Sequence, residues 1–219
     1  MRFIDNTCAL VERALSIYQD LFLITSPPLY PYSEYLLRDG TQSQATGTPA
    51  TSADWRADFR QLMSRFATGV CVVSVQSNGN SIVAMTVNSF VSVSLEPLLV
   101  CWSLQNSASQ FDLYANADRF AVSILAEGHA HLARRYAARG DTQLRAEDFV
   151  SSAACLPVIE GALAHFECKL HSQHPAGDHT MIFGEVSGLG PAGSLDSASS
   201  EAAISPLGFF NGQFCSIGQ

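Results

Sequence analysis

The stretch Ser81-Ile-Val-Ala-Met-Thr-Val-Asn-Ser-Phe-Val-Ser-Val-Ser94 decides how this chain folds. Val83, Met85 and Val87 alternate with smaller or polar residues, and the alternation resumes in a second register after Phe90. A period of two with β-branched residues predicts β-strand. The rest of the chain is therefore read as a sheet built around this stretch.

The same stretch is rich in short hydrogen-bonding side chains, namely Thr86, Asn88, Ser89, Ser92 and Ser94. Each of these groups can bond a neighbour without filling space. Such a composition is typical of a half-exposed strand with a polar outer face. It is equally what a strand end would carry where it meets a flat ligand with a polar edge, and the stretch alone leaves both interpretations open.

Working outward, alternating or apolar runs predict further strands at residues 70–75, 98–104, 119–125, 162–171, 179–186 and 206–210. Short helices are predicted at residues 55–66, 109–116 and 130–138, and turn residues join several strands as hairpins. Parallel doubly wound folds need long helices between successive strands, and these are missing. We therefore predict a mainly β chain, an antiparallel barrel with helices at its margins.

The chain divides near residue 51. Apolar spacing predicts a helix over residues 7–24, and residues 38–51 are small and polar, as in a linker. The aromatic segment 29–37 is expected to pack on the main domain or on a second subunit. We predict an N-terminal helical extension with linker over 1–51 and the barrel domain over 52–219.

Composition excludes several classes of protein. The 219 residues carry a net charge of −8, which makes nucleic acid an unsuitable partner. No run approaches the length of a membrane span, and acidic residues interrupt the N-terminal apolar residues, so no signal peptide is expected. We expect a cytoplasmic protein that binds neither nucleic acid nor membrane.

The cysteines agree with a reducing compartment. The chain contains six, without a Cys-x-x-Cys pair: Cys8, Cys71, Cys101, Cys155, Cys168 and Cys215. Cys71, Cys101 and Cys168 lie inside apolar runs, so we predict buried free thiols. The pairs His129/His131 and His171/His174 lack a third ligand at a recognisable spacing, and we predict no metal site.

Three groups of residues are candidates for chemistry. Residues 85–89 and 103–109 end consecutive strands and offer hydroxyls and backbone amides that suit a phosphate and the polar rim of a ring. Arg134-Arg135-Tyr136 can grip an anion or form a solvated helix face. His179, in Gly177-Asp-His-Thr180, can orient a substrate or can simply be exposed. Motifs of serine hydrolases, Rossmann dehydrogenases and P-loop proteins are absent from the sequence.

Six segments in a fixed order resemble the flavin reductase-like family, the small NAD(P)H:flavin reductase components of two-component monooxygenases. They are FRQLMSRFATGVCVV (59–73), MTVNSFVSVSLEP (85–97), RFAVSIL (119–125), LARRYA (132–137), LPVIEGALA (156–164) and GDHTMIFGEV (177–186). The resemblance implies an FMN-binding split-barrel fold and a homodimer. It also implies bound FMN or FAD, NADH or NADPH as co-substrate, and a partner oxygenase that receives reduced flavin.

The resemblance also implies roles for individual residues. The flavin ring would be lined by Met85, Thr86, Val87, Asn88 and Ser89, and the ribityl chain and phosphate by Ser103, Leu104, Ser107 and Ser109. Arg135 and Tyr136 would approach the flavin from the helix side. His179 would sit where the nicotinamide meets the ring, as the catalytic residue, with Asp178 and Phe210 beside it on the substrate side.

The sequence departs from the family pattern in two places. Gln213 replaces the basic residue usual after the last Gly, and Ser123 replaces an Asn. These changes leave a second reading open: a flavoenzyme of the same fold that acts directly on a small organic, secondary-metabolite-like substrate. A third reading is a flavin- or heme-type binding module, or a dimerising scaffold, without activity.

Overall fold

The structure, a computed structural model, describes residues 52–76, 81–138, 143–190 and 205–218, with side chains described from residue 55 onward. The predicted helix over 7–24, the aromatic segment 29–37 and the predicted linker over 38–51 lie outside these residues.

The described residues form a mainly β domain with a few short helices. The α-helices are α1 Ser52–Met63, α2 Phe111–Ala115 and α3 Ala130–Ala137, with 3-10 turns at Glu127–His129 and Ala146–Asp148. The strands are β1 Thr68–Gly69, β2 Cys71–Gln76, β3 Ile82–Val87, β4 Val91–Leu95, β5 Leu98–Gln105, β6 Arg119–Ile124, β7 Phe149–Ser151, β8 Pro157–Ile159, β9 Ala164–Ala176, β10 His179–Gly190, β11 Leu207–Phe210 and β12 Gln213–Ser216.

The main sheet has seven strands in the order β3-β2-β6-β9-β10-β5-β4. Two smaller sheets, β1-β11-β12 and β7-β8, flank it. All the described pairings are antiparallel. The predicted antiparallel, mainly β fold is therefore confirmed.

The stretch 81–94 is not one continuous strand. Its two registers form β3 and β4, which lie at opposite edges of the main sheet although only Asn88, Ser89 and Phe90 separate them. Phe90 packs against the core, with its ring centroid 5.7 Å from that of Phe166. We call Asn88–Phe90 the crossing segment, because it carries the chain from one sheet edge to the other.

The core occupies both faces of β2, as its continuous apolar run predicts. Val73 packs in one cluster with Trp102 and Phe120, whereas Val72 packs in another with Leu132 of α3. Val72 and Val73 are both 0% exposed, so this central strand has no solvent face. Cys71, Cys101 and Cys168 are buried and free, as predicted.

Helix α1 carries its apolar side chains on one face, as the spacing predicts, and in the part of the chain that the structure describes that face is exposed. Trp55, Phe59 and Leu62 are 71%, 66% and 63% exposed, and Phe66 just after the helix is 68% exposed. Exposed apolar patches of this kind often mark interaction surfaces.

Several elements differ from the sequence-based expectations. Residues 149–151, for which no strand was predicted, form β7 and pair with β8. Asn211-Gly212 opens a hairpin to β12, which was not predicted either. The hairpin β9–β10 is longer than predicted at both ends. Among the described helices, none is long and apolar enough to cross a membrane.

Candidate functional site

A cleft of about 500 Å3 opens where the crossing segment meets the ends of β5, β10 and α3. We call it the polar cleft. Its described lining consists of small, hydroxylic, amide and apolar side chains with one imidazole, namely Met85, Thr86, Val87, Asn88, Ser89, Ser103, Gln105, Ser107, Ala108, Ser109, Tyr136, Ala137, Ala138 and His179. The structure thus brings most of the predicted site residues to one cleft.

The β3 side of the cleft is held by side-chain hydrogen bonds to the backbone. Thr86 Oγ1 donates to the carbonyl oxygen of Ala133 at 2.9 Å, which ties β3 to α3. Ser89 Oγ accepts from the Ser103 N–H at 3.0 Å, which ties the crossing segment to β5. Two of the predicted hydroxyls therefore fix the wall of the cleft, whereas the side chain of Asn88 is exposed.

Strand β5 presents alternate residues to the cleft. Ser103 and Gln105 line it, but Leu104 between them is 0% exposed and packs in the core. Leu104 can therefore contribute only backbone groups to a ligand. The helix predicted over 109–116 is shorter, because α2 begins at Phe111 and ends at Ala115, and it has no side-chain cap.

The α3 side is organised by a buried carboxylate. Asp148 is 8% exposed and accepts hydrogen bonds from both the Arg135 guanidinium and the Tyr136 hydroxyl. The bond to Asp148 raises the pKa of Arg135, and burial together with that bond raises the pKa of Tyr136. The Arg135 side chain predicted to approach the flavin thus contacts Asp148, and Tyr136 alone of the pair lines the cleft.

The β9–β10 hairpin brings His179 to the cleft. His179 Nδ1 lies 2.8 Å from Asp178 Oδ1, and this bond lowers the pKa of Asp178. Asp178 itself points to solvent, with its side chain 87% exposed. The Thr180 hydroxyl donates to Asn106 Oδ1 at 2.8 Å, so the hairpin is fastened to the loop after β5.

One predicted site residue and one departure from the family pattern lie outside the polar cleft. Phe210, predicted on the substrate side, is 46% exposed on β11 of the three-stranded sheet and does not line the polar cleft. It pairs with Gln213, the residue that departs from the family pattern. Ser123, the other departure, is buried, and its hydroxyl accepts from the Ile159 N–H at 3.0 Å.

Sequence reasoning missed several residues of the site. Gln105 and Ala108 lie between predicted residues, so strand alternation and loop proximity contained a signal for them. Asp148 and Asn106 act through other residues, and no local pattern marks them. Their roles depend on partners distant in the chain, which only the fold brings together.

A cavity of similar size, about 530 Å3, lies between α2 and the 154–156 loop. Its wall carries the charged residues Asp112, Asp118 and Arg119 and contains none of the predicted site residues. We place the functional site in the polar cleft, because there the hydroxyl-rich segments and the imidazole converge.

The chemistry of the polar cleft fits a flavin. None of its described lining residues is Asp, Glu, Lys or Arg, so it offers neutral donors and acceptors rather than ion pairs. A flavin ring has a polar, hydrogen-bonding edge on a flat apolar body, and its ribityl chain carries hydroxyls that serines can bond. Within the described ranges, His, Cys, Asp and Glu form no group of three or more that could hold a metal ion.

Comparison with known proteins identifies the family. The model of the flavin reductase like domain matches residues 63–218, which is most of the chain. The chain therefore belongs to the flavin reductase-like family, as its sequence motifs predict, and the predicted split-barrel class is confirmed.

Its curated relatives include reductases and one protein named for a biosynthetic step. The actinorhodin polyketide dimerase of Streptomyces coelicolor is 38% identical over 58% of this chain and 72% of that protein. FMN reductase (NADH) SmoA of Agrobacterium fabrum is 41% identical over the same shares. The flavin-dependent monooxygenase reductase subunit HsaB of Rhodococcus jostii is 31% identical over 80% of this chain and 86% of that protein.

Solved structures agree with this assignment. The NADH:FAD oxidoreductase SgcE6 of Streptomyces globisporus, in complex with NAD and FAD fragments, superposes with a TM-score of 0.66. It is 31% identical, and the match covers 78% of this chain and 98% of that one. The styrene monooxygenase flavin reductase of Pseudomonas putida S12 gives a TM-score of 0.64 at 32% identity, covering 74% and 97%.

Proposed function

We propose that this protein is an NAD(P)H-dependent flavin reductase. It transfers a hydride from NADH or NADPH to FMN or FAD and supplies the reduced flavin to a partner monooxygenase. The observation that carries the proposal is the polar cleft, where the 85–89 and 103–109 segments meet His179. The flavin supplies the electron-accepting ring, and the protein's part is to align it with the nicotinamide.

The roles of individual residues follow from their positions. Residues 85–89 and the serines at 103, 107 and 109 would hold the flavin, with Thr86 and Ser89 also bracing the wall. His179 would contact the nicotinamide, oriented by Asp178. Arg135 would support the cleft through Asp148, with Tyr136 forming the wall. No strong acid or base is needed for hydride transfer. In keeping with this, the described lining of the cleft contains no Asp, Glu, Lys or Arg.

The direct test is anaerobic. Purified protein is mixed with FMN or FAD, NADH or NADPH is added, and the oxidised flavin band near ~450 nm is followed. Rapid bleaching with catalytic amounts of protein is expected, whereas heat-denatured protein should leave only the slow uncatalysed reaction. Tight flavin binding without bleaching by either nicotinamide would contradict the reductase proposal.

A second candidate is a flavin-dependent oxidoreductase that acts on its own small organic substrate. The named relative with a role in polyketide dimerisation and the loss of the basic residue at Gln213 favour it. Flavin that stays bound, and changes its spectrum with an aromatic polyketide but not with NADH, would support this function over the first.

We further propose a cytoplasmic homodimer with an extension over residues 1–51. The open apolar face of α1 supports a second copy as its cover, and the named reductase subunit among the relatives supports a partner oxygenase. The cysteines Cys71, Cys101 and Cys168, free and buried, suit a reducing compartment. The family model begins at residue 63, which supports a separate role for the N-terminal extension.

A further inference from the structure

Asn106 fastens the hairpin that carries His179. Its backbone N–H donates to the carbonyl oxygen of Asp178 at 2.9 Å, and its Oδ1 accepts from the Thr180 hydroxyl at 2.8 Å. A longer contact of 3.5 Å joins its Nδ2 to the carbonyl oxygen of Gly177. One residue thus bonds three members of the Gly177–Thr180 motif, and the fourth, His179, is the one that lines the polar cleft.

Asn106 also lies within the segment after β5 that lines the cleft beside the hairpin, although Asn106 is not itself a lining residue. Its chain neighbours Gln105 and Ser107 both line the cleft, and the Ala108 N–H closes a turn by donating to the Gln105 carbonyl oxygen at 3.0 Å. In the strand register His179 stands opposite Gln105. The residue therefore links the segment proposed to hold the flavin with the residue proposed to meet the nicotinamide.

The bond to Thr180 is the sensitive one. Thr180 is 7% exposed, and a buried hydroxyl that loses its partner is costly to leave unsatisfied. Asn106 is itself exposed and contributes nothing to the core clusters. Loss of its side chain therefore acts on the hairpin rather than on core packing.

We propose that Asn106 is a positioning residue, which sets the place of His179 over the flavin for hydride transfer. The inference rests on the proposed reductase function. In that reaction NADH gives up a hydride and becomes NAD+, and the flavin takes the hydride and one proton. Because the rate depends on the alignment of the two rings, a small shift of the hairpin slows the transfer without changing which groups bind the flavin.

The experiment compares Asn106→Ala, Thr180→Val and the double variant in anaerobic stopped-flow reduction at saturating flavin and saturating NADH. Asn106→Ala is expected to slow flavin reduction about tenfold, with Thr180→Val acting in the same direction and the flavin Kd changing by less than about twofold. Because both changes break one bond, the double variant should be no slower than Asn106→Ala. Asn116→Ala is the matched control, since its Nδ2 bonds Asp112 on α2 away from the cleft.

Each alternative outcome has a distinct meaning. Three results would each overturn the positioning role. Asn106→Ala could reduce flavin as fast as Asn116→Ala does, or the effects of the two single variants could add in the double variant. The third is a loss of flavin affinity as large as the loss of rate. Thr180→Val keeps the side-chain shape and removes only the hydroxyl that bonds Asn106. It therefore tests the same hydrogen bond if Asn106→Ala does not fold. A wild-type protein that oxidises neither NADH nor NADPH with any flavin would overturn the reductase function and this inference together. An active wild type with an unaffected Asn106→Ala would overturn this inference alone.

Discussion

His179 gives the polar cleft its one imidazole among the described lining residues. The side chain is 38% exposed, and its Nδ1 is engaged by the Asp178 carboxylate. An imidazole held in this way at the mouth of a cleft is suited to contact a second substrate arriving from solvent.

Replacing His179 by Ala should therefore affect the nicotinamide and spare the flavin. We expect a higher KM for NADH or a lower kcat, with kcat/KM reduced about 10-fold or more and the flavin Kd nearly unchanged. Steady-state kinetics and a fluorescence titration of flavin measure the two effects. His171→Ala, which removes an exposed imidazole on β9, is the control. Loss of flavin binding together with activity would instead make His179 a structural residue.

At this scale the sequence predicted which residues gather and missed how some of them act. The alternation in β5 already assigns Ser103 and Leu104 to opposite faces, so the burial of Leu104 was implicit in the pattern. The contact of Arg135 with Asp148 was not implicit in the sequence pattern. The Asp148 carboxylate lies in a 3-10 turn whose position depends on the whole fold.

Strand β10 passes so close to the barrel interior that one position has no room for a side chain. A Cβ on Gly184 would stand 2.5 Å from Phe120 Cζ and 2.9 Å from Cys168 Cβ. Cys168 is buried on β9, which pairs with β10, and Phe120 is buried on β6, the next strand beyond β9. Glycine here lets three strands meet around the core.

We predict that Gly184→Ala destabilises the domain by about 1–3 kcal/mol through overpacking. Urea unfolding followed by fluorescence of the tryptophans measures the change. Gly128→Ala serves as the control, because nothing lies within 4 Å of the added methyl group there. Equal stability of the two variants would show that Phe120 moves aside at little cost.

At the scale of elements, strand and helix types followed from local patterns, but strand neighbours did not. The alternation in β3 resumes in β4 after only three residues, yet β3 and β4 lie at opposite edges of the main sheet. Alternation describes which face a residue takes and contains no information on which strand it pairs with. Strands β7 and β12 escaped prediction because they are short and are stabilised mainly by their partners.

At the scale of the whole molecule, the exposed apolar face of α1 is the feature on which the proposed homodimer rests. Four aromatic or leucine side chains from Trp55 to Phe66 are each more than 60% exposed. Burying a side chain of this size yields roughly 1.5–3 kcal/mol, and a symmetric dimer buries each residue twice. The proposed homodimer would recover this free energy.

Phe59→Glu should accordingly weaken the dimer about 100-fold or more. Light scattering after size exclusion at several protein concentrations measures the oligomeric state. Gln61→Glu adds the same charge to another face of α1 and should leave the dimer intact. A wild-type monomer, or a Phe59→Glu variant that dimerises like wild type, would contradict the proposed interface.

Deleting residues 1–50 from the wild type tests the N-terminal extension. A dispensable extension leaves a folded barrel when it is removed, whereas the loss of an extension that covers apolar surface causes aggregation.

The burial of the thiols affects how easily they are oxidised when the proposed reaction runs in air. Reduced flavin released from the proposed reaction reacts with oxygen to give hydrogen peroxide, an oxidant that attacks thiolates. Burial raises the pKa of Cys71 and of Cys168 to about 12, so almost none of either is thiolate, and neither is open to solvent. An oxidant in solution would therefore meet the exposed Cys155 before it met either of these buried sulfurs.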